Sequence, residues 1–399
     1  MKRGAMTMIA PLLFSMSIFA QNVDTQISGK LDVQGRYYLN EGMYKHQDYQ
    51  EQFSFSIQPE LYWEWNNSTD SLIFKPFYRY DHQDDERSHA DIREFLWTHV
   101  GDDWEIKTGI GKVFWGVTEF QHLVDTINQT DGVESFDGEE KLGQPMVNLS
   151  LIRDWGVIDA FILPGFRERT FSGQMGRLRP PFHVEGDFAQ YESTRTDNHI
   201  DYALRWSHSI DVFDFGLHWF NGTNRDPDLH LEKGGEDGYF IPFYEQTNQF
   251  GVDAQATIDE WLLKFEALSR NGLNGTYTAA QAGFEYSFYG VADSDADIGL
   301  LLEYGWDDRG LDSNSGFQND LFFGARFTFN DVQSTELLIG GGYDLDYESN
   351  SLFVEGSHRI GNNWKIVIDA QFFNSKDMSD PSYSIKEDDY IQLTLEYYL

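Results

Sequence analysis

Arginine is concentrated in one stretch of an otherwise acidic chain. Residues 164–198 contain five of these side chains: Arg167, Arg169, Arg177, Arg179 and Arg195. A planar guanidinium group can bind a carboxylate or a phosphate through paired N–H donors. Two roles follow from this chemistry, an anion-attracting constriction or structural pairing with nearby acidic side chains. The sequence favours neither role over the other.

A second charged stretch, residues 117–145, is acidic. It carries one lysine, Lys141, against seven carboxylates: Glu119, Asp125, Asp131, Glu134, Asp137, Glu139 and Glu140. The apolar residues between Phe120 and Ile127 predict a packed turn rather than a loose loop. If the two stretches lie side by side, Glu139 and Glu140 are the expected partners of the arginines.

Several kinds of chemistry are excluded or disfavoured. The chain has no Cys, which excludes disulfides, thiol catalysis and Cys-zinc sites. It also lacks the Gly-x-Ser-x-Gly, His-Glu-x-x-His, P-loop and dinucleotide motifs, so we expect no enzyme. Residues 81–91 and 307–312 could offer oxygen ligands to Ca²⁺, but the EF-hand spacing is absent and solvated acidic loops are the simpler interpretation. We therefore expect no cofactor. A net charge of −37 also disfavours nucleic acid as a partner.

The elements that position these charges are β-strands. In residues 390–399, Ile391, Leu393 and Leu395 alternate with polar residues, and a strand places such residues on opposite faces. The same alternation recurs along the chain in about eighteen segments, each close to the 9–11 residues of a strand that spans a bilayer. Sixteen strands remain possible, because one hairpin is easily miscounted. A final strand without a tail predicts pairing with the first strand, as in a closed barrel.

The connections between these segments alternate in length. Those after even-numbered segments are generally short, such as 66–70 and 101–102, whereas those after odd-numbered segments are generally long, such as 115–145 and 164–198. Short turns at one end and long loops at the other are typical of transmembrane barrels whose termini lie inside the cell. The pattern predicts an all-β, up-and-down antiparallel barrel.

The N-terminus has the features of a secretory signal peptide. Lys2 and Arg3 precede an apolar run, and Ala20 is a suitable cleavage site. We therefore assign residues 1–20 to a signal peptide and residues 21–399 to the barrel. The few residues before the first strand are too short for a plug domain, so we do not expect an energised receptor.

Two segments resemble known proteins. The last strand is similar to the C-terminal strand by which Gram-negative outer-membrane barrels are recognised, although it ends in Leu399 rather than Phe or Trp. The run Gly111–Gly116, with Lys112 and Trp115, resembles porin-like outer-membrane channels that have a G-K/R…W-G run before an Asn/Asp-rich segment. This resemblance implies a channel with a loop folded into the barrel.

From these observations we expect a passive diffusion channel for small polar or charged solutes in the outer membrane. A surface-binding or structural barrel and a channel for apolar compounds are the alternatives. Outer-membrane lipid is an expected partner, and a homo-oligomer is possible. The acidic composition weakly favours cations. The candidate pore-lining or constriction residues are Lys112, Glu119, Asp125, Arg167, Arg169, Arg177, Arg179, Arg205 and Arg326.

Overall fold

Eighteen antiparallel strands close into one barrel within the described part of the chain. The computed structural model describes residues 23–232, 238–313 and 317–399, so the predicted signal peptide, residues 1–20, lies outside the described residues. The barrel strands are β1 Asp24–Tyr38, β2 Glu51–Trp65, β3 Asp70–Asp81, β4 Ala90–Val100, β5 Trp104–Gly111, β6 Gln144–Arg153, β7 Gly156–Pro164, β9 Ile200–Ile210, β10 Phe213–Thr223, β13 Gln246–Ile258, β14 Trp261–Gly272, β15 Gly275–Phe288, β16 Asp297–Asp307, β17 Asn319–Thr328, β18 Glu336–Asp344, β19 Asn350–Ile360, β20 Trp364–Asn374 and β21 Tyr390–Tyr398.

The first and last strands close the barrel. β1 pairs with β2 on one side and with β21 on the other, where Val33 lies opposite Leu395. Each barrel strand is therefore paired on both edges, and no edge is left open to other chains. The predicted number of eighteen strands and the predicted closure by the last strand are confirmed.

Alternating side chains give the barrel an apolar exterior and a polar interior. On β21, Leu395 points outward and is 40% exposed, whereas Thr394 points inward and is 7% exposed. On β1, Val33 is 57% exposed and its neighbour Asp32 is 5% exposed. The period-two sequence pattern thus corresponds to the two faces of one curved sheet.

The connections at one end of the barrel are mostly short turns, and those at the other end are mostly long loops. Asn66 and Asn67 show how tight a short turn is, because both adopt the left-handed conformation, each with φ of 55°. The connections at the long-loop end are L1 (residues 39–50), L2 (82–89), L3 (112–143), L4 (165–199), L5 (224–245), L6 (273–274), L7 (308–318), L8 (345–349) and L9 (375–389). L6 has only two residues, so the alternation in length holds with exceptions.

The long loops contain structure that the sequence did not reveal. β8 (Gln190–Tyr191), β11 (Asp228–Glu232) and β12 (Tyr239–Tyr244) form a small separate sheet that joins L4 to L5. These strands are too short for an alternating pattern to stand out. In the part of the chain that the structure describes, no helix combines the length and apolar character needed to cross a membrane.

Candidate functional site

Loop L3 folds into the barrel and crosses to the opposite wall. It leaves from β5, the fifth strand around the barrel, and reaches β14, the eleventh. There the fully buried carboxylate of Glu266 accepts hydrogen bonds from the backbone N–H groups of Val117 at 2.6 Å, Thr118 at 2.9 Å and Val124 at 3.3 Å. The Thr118 hydroxyl also donates to Glu266, at 2.7 Å. One wall carboxylate therefore holds the turn at the tip of L3.

A second wall carboxylate, Glu303 on β16, holds the next residues of L3. It accepts the backbone N–H groups of Glu119 at 2.8 Å and Phe120 at 3.2 Å. The Phe120 ring stacks on Phe322 of β17, with ring centroids 5.3 Å apart, and meets Phe353 edge-on at 6.1 Å. The predicted packed turn in this part of L3 is present and is anchored to three wall strands.

The side chain of Glu119 joins the tip of L3 to two cationic residues of the same wall. It lies 2.5 Å from Arg326 of β17 and 3.2 Å from Lys264 of β14. Burial alone raises the pKa of Glu119, but the positive charges of Arg326 and Lys264 outweigh burial and hold the pKa below its usual value. Glu119 is therefore ionised at neutral pH, and its charge is neutralised locally.

The return limb of L3 is clamped to β3 and β4 by buried ion pairs. Glu134 lies 2.8 Å from Arg79, and Asp131 lies 2.5 Å from Arg93. A β-bulge in the β3–β4 pairing leaves Arg93 without an opposite residue, so that it faces the lumen beside Glu94. Burial raises the pKa of Asp131, but contacts with His89 and Arg93 outweigh burial and lower the pKa below its usual value.

One side of the lumen beside L3 is filled by an apolar cluster. Its buried members come from L3 and from the wall strands between β6 and β10: Trp115, Val124, Ile127, Met146, Phe161, Leu163, Ala203 and Phe220. Arg225 of L5 covers this cluster and donates to the backbone carbonyl of Ile127 at 3.0 Å. Within the described residues, this cluster and Arg225 therefore fill the lumen on this side of L3.

A cavity of about 420 Å³ remains between L3 and the opposite part of the wall, from β17 to β1. Its lining carries six carboxylates and three cationic side chains: Glu119, Glu134, Asp137, Glu336, Glu355, Asp369, Arg36, Arg326 and Lys365. This cavity, which we call the constriction, lies in the lumen between L3 and the wall.

The wall of the constriction presents one row of neighbouring side chains across six strands. In order from β1 to β17, the pairing register gives Arg36, Gln392, Asp369, Glu355, Leu338 and Arg326. Asp369 and Glu355 are direct cross-strand partners, so their Cα atoms lie about 4.5–5.5 Å apart. Like charges placed directly opposite each other destabilise a sheet.

The centre of this row is incompletely compensated. One carboxylate oxygen of Asp369, Oδ1, is buried without a hydrogen-bond partner among the described residues. From L3, Asp137 faces the same carboxylates and also lines the cavity. The constriction therefore has two carboxylates at the middle of its wall and a third across from them.

The arginines of L4 lie apart from the constriction centre, and the structure pairs them with other groups than Glu139 and Glu140. Arg167 lies 2.8 Å from Asp91 of β4, and Arg177 lies 2.6 Å from Asp388 of L9. Arg169 comes within 4.0 Å of Asp226 in L5, and Arg179 donates to backbone carbonyls of its own loop. Glu139 instead contacts His122, and Glu140 contacts Lys112. The expected partners were wrong because L4 packs against β4, L5 and L9, which bring other carboxylates closer to its arginines.

The other candidate residues are spread through the barrel. Lys112 begins L3 and lies 3.5 Å from Glu140. Asp125 is buried beside Lys141 at 3.3 Å, and burial raises its pKa. Arg205 of β9 forms a bidentate ion pair with Asp253 of β13, in which its two terminal nitrogens donate to the two carboxylate oxygens at 2.6 and 2.7 Å. Of all the candidates, the structure brings only Glu119 and Arg326 into mutual contact within the described residues.

Sequence reasoning placed Asp369 on an inward position but did not identify Glu355 or the pairing of these two carboxylates at the centre of the constriction. Asp369 and Glu355 lie on inward positions of two consecutive strands, and their direct pairing depends on the exact register of that hairpin. A register counted from the short turn between β19 and β20 would have found them. Among the described residues, no group of three or more His, Asp or Glu side chains is arranged to hold a metal ion.

No family model and no curated protein matches the sequence. By structure, the chain is similar to OpdQ of Pseudomonas aeruginosa, with a TM-score of 0.53 at 10% identity over 94% of this chain and 97% of OpdQ. It is also similar to OpdO of the same organism, with a TM-score of 0.54 at 9% identity over 94% of this chain and 96% of OpdO. Both neighbours are outer-membrane porins. The chain therefore has the closed, 18-stranded antiparallel barrel fold of these porins.

Proposed function

We propose that this protein is an outer-membrane channel through which small polar or charged solutes diffuse passively, and that its constriction favours cations. The observation that carries the proposal is the position of L3. This loop crosses the lumen, is anchored on both walls and leaves one polar passage beside it. A barrel that served only as a surface scaffold would not require such a passage.

The preference for cations follows from the charge of the constriction. Six carboxylates line it against three cationic side chains. Glu119 is neutralised by Arg326 and Lys264 and Glu134 is paired with Arg79, which leaves four carboxylates, Asp137, Glu336, Glu355 and Asp369, against Arg36 and Lys365. Fixed negative charge raises the local concentration of cations, and charges within the passage act at distances shorter than the screening length of about 8 Å at physiological salt. The arginines of L4, which could have favoured anions, are engaged with other groups, so the acidic lining dominates.

The outward face supports placement in the outer membrane. Apolar side chains such as Val33, Phe265 and Leu395 are at least 40% exposed on the barrel exterior, which suits contact with lipid. By the general rule for such barrels, the short turns lie in the periplasm and the long loops lie outside the cell. Lipid is then the partner of the whole exterior.

The test is the reversal potential of the purified protein in a planar bilayer under a KCl gradient. We expect a reversal potential whose sign shows that K⁺ permeates more readily than Cl⁻. The Glu355→Gln/Asp369→Asn double variant should give a smaller reversal potential of the same sign. The Asp293→Asn/Asp295→Asn variant changes net charge equally at a short turn and serves as the matched control. It should keep the wild-type potential.

Three results would count against the proposal. Absence of any conductance from correctly folded protein would refute the proposal that the protein is a channel. A preference for chloride that persists in the double variant would remove the assignment of selectivity to Glu355 and Asp369. Retention of full cation preference in the double variant would equally locate the selectivity elsewhere.

A further inference from the structure

A short segment of L4, residues 178–184, spans the mouth of the barrel above the constriction. It begins beside L1 and L9, which adjoin β1 and β21, the first and eighteenth strands around the barrel. It ends at L5, between the ninth and tenth strands, half-way around. We call residues 178–184 the mouth strap. Six peptide steps reach at most about 20 Å, so the strap is a short connection between the two groups of loops.

The strap starts at a buried ion pair between two loops. Arg177, just before the strap, donates from Nε to Asp388 of L9 at 2.6 Å, and both side chains are at most 3% exposed. The other Asp388 oxygen accepts the backbone N–H of Leu178 at 2.7 Å. The remaining guanidinium nitrogens donate to the backbone carbonyls of Asn40 and Tyr49 in L1 and of Glu387 in L9. Arg177 therefore joins three loops at one point, which we call the latch.

The far end of the strap is held by backbone pairing. Val184 forms a parallel bridge with Phe240 of L5, and the N–H of Phe240 donates to His183 at 2.9 Å. The Phe182 and Phe240 rings meet edge-on, with centroids 5.7 Å apart. The strap is thus fixed on both sides of the mouth by different kinds of contact.

The middle of the strap is stiff. Pro180 and Pro181 fix two successive φ angles, and Arg179 donates to the carbonyls of both prolines, at 2.9 and 3.2 Å. Leu178 adopts a left-handed conformation with φ of 57°, which turns the chain away from the latch. The strap is therefore a rigid segment, fixed at both ends, rather than a flexible loop.

The start of the strap adjoins the passage. Arg177 and Leu178 line a small cavity together with Arg36, Glu134 and Phe136, and these last three residues also line the constriction. We infer that the mouth strap sets the upper size of the solutes that reach the constriction, with Arg177 and Asp388 as the positioning residues that hold it in place. This inference rests on the proposed function, because it assigns a size limit to the same passage.

Cleavage by trypsin after Arg177 can report whether the latch is open. Trypsin cleaves after Arg177 only if the latch opens, and the next basic residue, Arg179, precedes proline and resists trypsin. We expect intact cells to show no new N-terminus at Leu178 in wild-type protein. Asp388→Asn should raise the cleavage rate by about tenfold or more, since loss of one charge from a buried pair strongly favours the open form.

The control is Asp377→Asn, the same change at an exposed carboxylate of the same loop. It should leave the site after Arg177 protected. Arg177→Lys provides a second test variant that keeps a positive charge and a cleavage site but cannot donate to four groups in the geometry of the guanidinium. Native-gel mobility before and after heating shows which variants contain a folded barrel.

Passage of neutral sugars into liposomes tests the size limit. The rate for a tetrasaccharide relative to a disaccharide should rise several-fold in Asp388→Asn and Arg177→Lys, and should stay unchanged in Asp377→Asn. Cleavage after Arg177 without any change in this ratio would overturn the size limit, although the channel itself would stand. If the peptide bond before Leu178 stays protected from trypsin in both folded variants, the latch is overturned. If no sugar or ion crosses wild-type liposomes, the proposed function fails and the size limit fails with it, whereas the trypsin result still decides the latch.

Discussion

Replacement of Glu266 by alanine should release the tip of L3 from the wall of the barrel. The carboxylate accepts three backbone N–H groups, from Val117, Thr118 and Val124, and is itself fully buried. Alanine leaves all three donors without a partner. Each unsatisfied buried donor costs about 1–3 kcal/mol, and entry of water into the space left by the side chain reduces the total.

Three donors at the low end of this range, about 1 kcal/mol each, give a total cost of about 3 kcal/mol. This total raises the undocked fraction of L3 roughly 100-fold. A thiol placed at Val124, which is 0% exposed, can report this fraction, since the chain has no other cysteine. We expect the Val124→Cys thiol to react with a maleimide about 100-fold faster when Glu266→Ala is present. Single-channel recordings of Glu266→Ala should also show larger current fluctuations.

Glu266→Gln is the matched control because its amide oxygen can still accept the hydrogen bonds of Val117 and Thr118. Its effect on labelling should lie well below that of alanine. Equal labelling in all three backgrounds would refute the assignment of Glu266 as the anchor of L3. Equal effects of Gln and Ala would show that the charge, rather than the hydrogen-bond acceptor, holds the loop.

Two further predictions concern the barrel exterior and the loops. Leu395→Arg places a cation on the outward face, at a cost of about 2–4 kcal/mol in lipid, and this variant should assemble poorly. Thr394→Arg places the cation on the inward face and should assemble. Equal assembly of the two variants, measured by heat-modifiable gel mobility, would contradict the assigned direction of these side chains. Burial raises the pKa of Asp84 in L2 to about 6. The folded state therefore binds a proton more tightly than the unfolded state, so stability from this group is greatest below about pH 4 and falls by about 3 kcal/mol as the pH rises through 6 to about 7. Asp84→Asn should remove that component from the pH dependence of the unfolding midpoint, and identical profiles for the two proteins would contradict it.

The sequence was sufficient for the barrel because its information is local. An alternating pattern such as that of residues 390–399 determines which side chains face outward, whatever the strand pairs with. Eighteen such segments, joined by turns and loops of alternating length, leave little choice of topology. The bulge at Arg93 and the three short strands in L4 and L5 were missed, because one extra residue or a two-residue strand leaves no clear pattern.

The functional site depended on contacts between residues far apart in the chain. Composition and alternation identified Glu119 and Arg326 as candidates, but they are 207 positions apart, and only the docking of L3 brings them together. The partners of Arg177 were likewise decided by where L1 and L9 meet. Loop docking is determined by packing and hydrogen bonds summed over several elements, which no local pattern encodes. The sequence therefore determined the barrel and its two faces, and the tertiary structure alone decided which charges line the passage and which hold the loops in place.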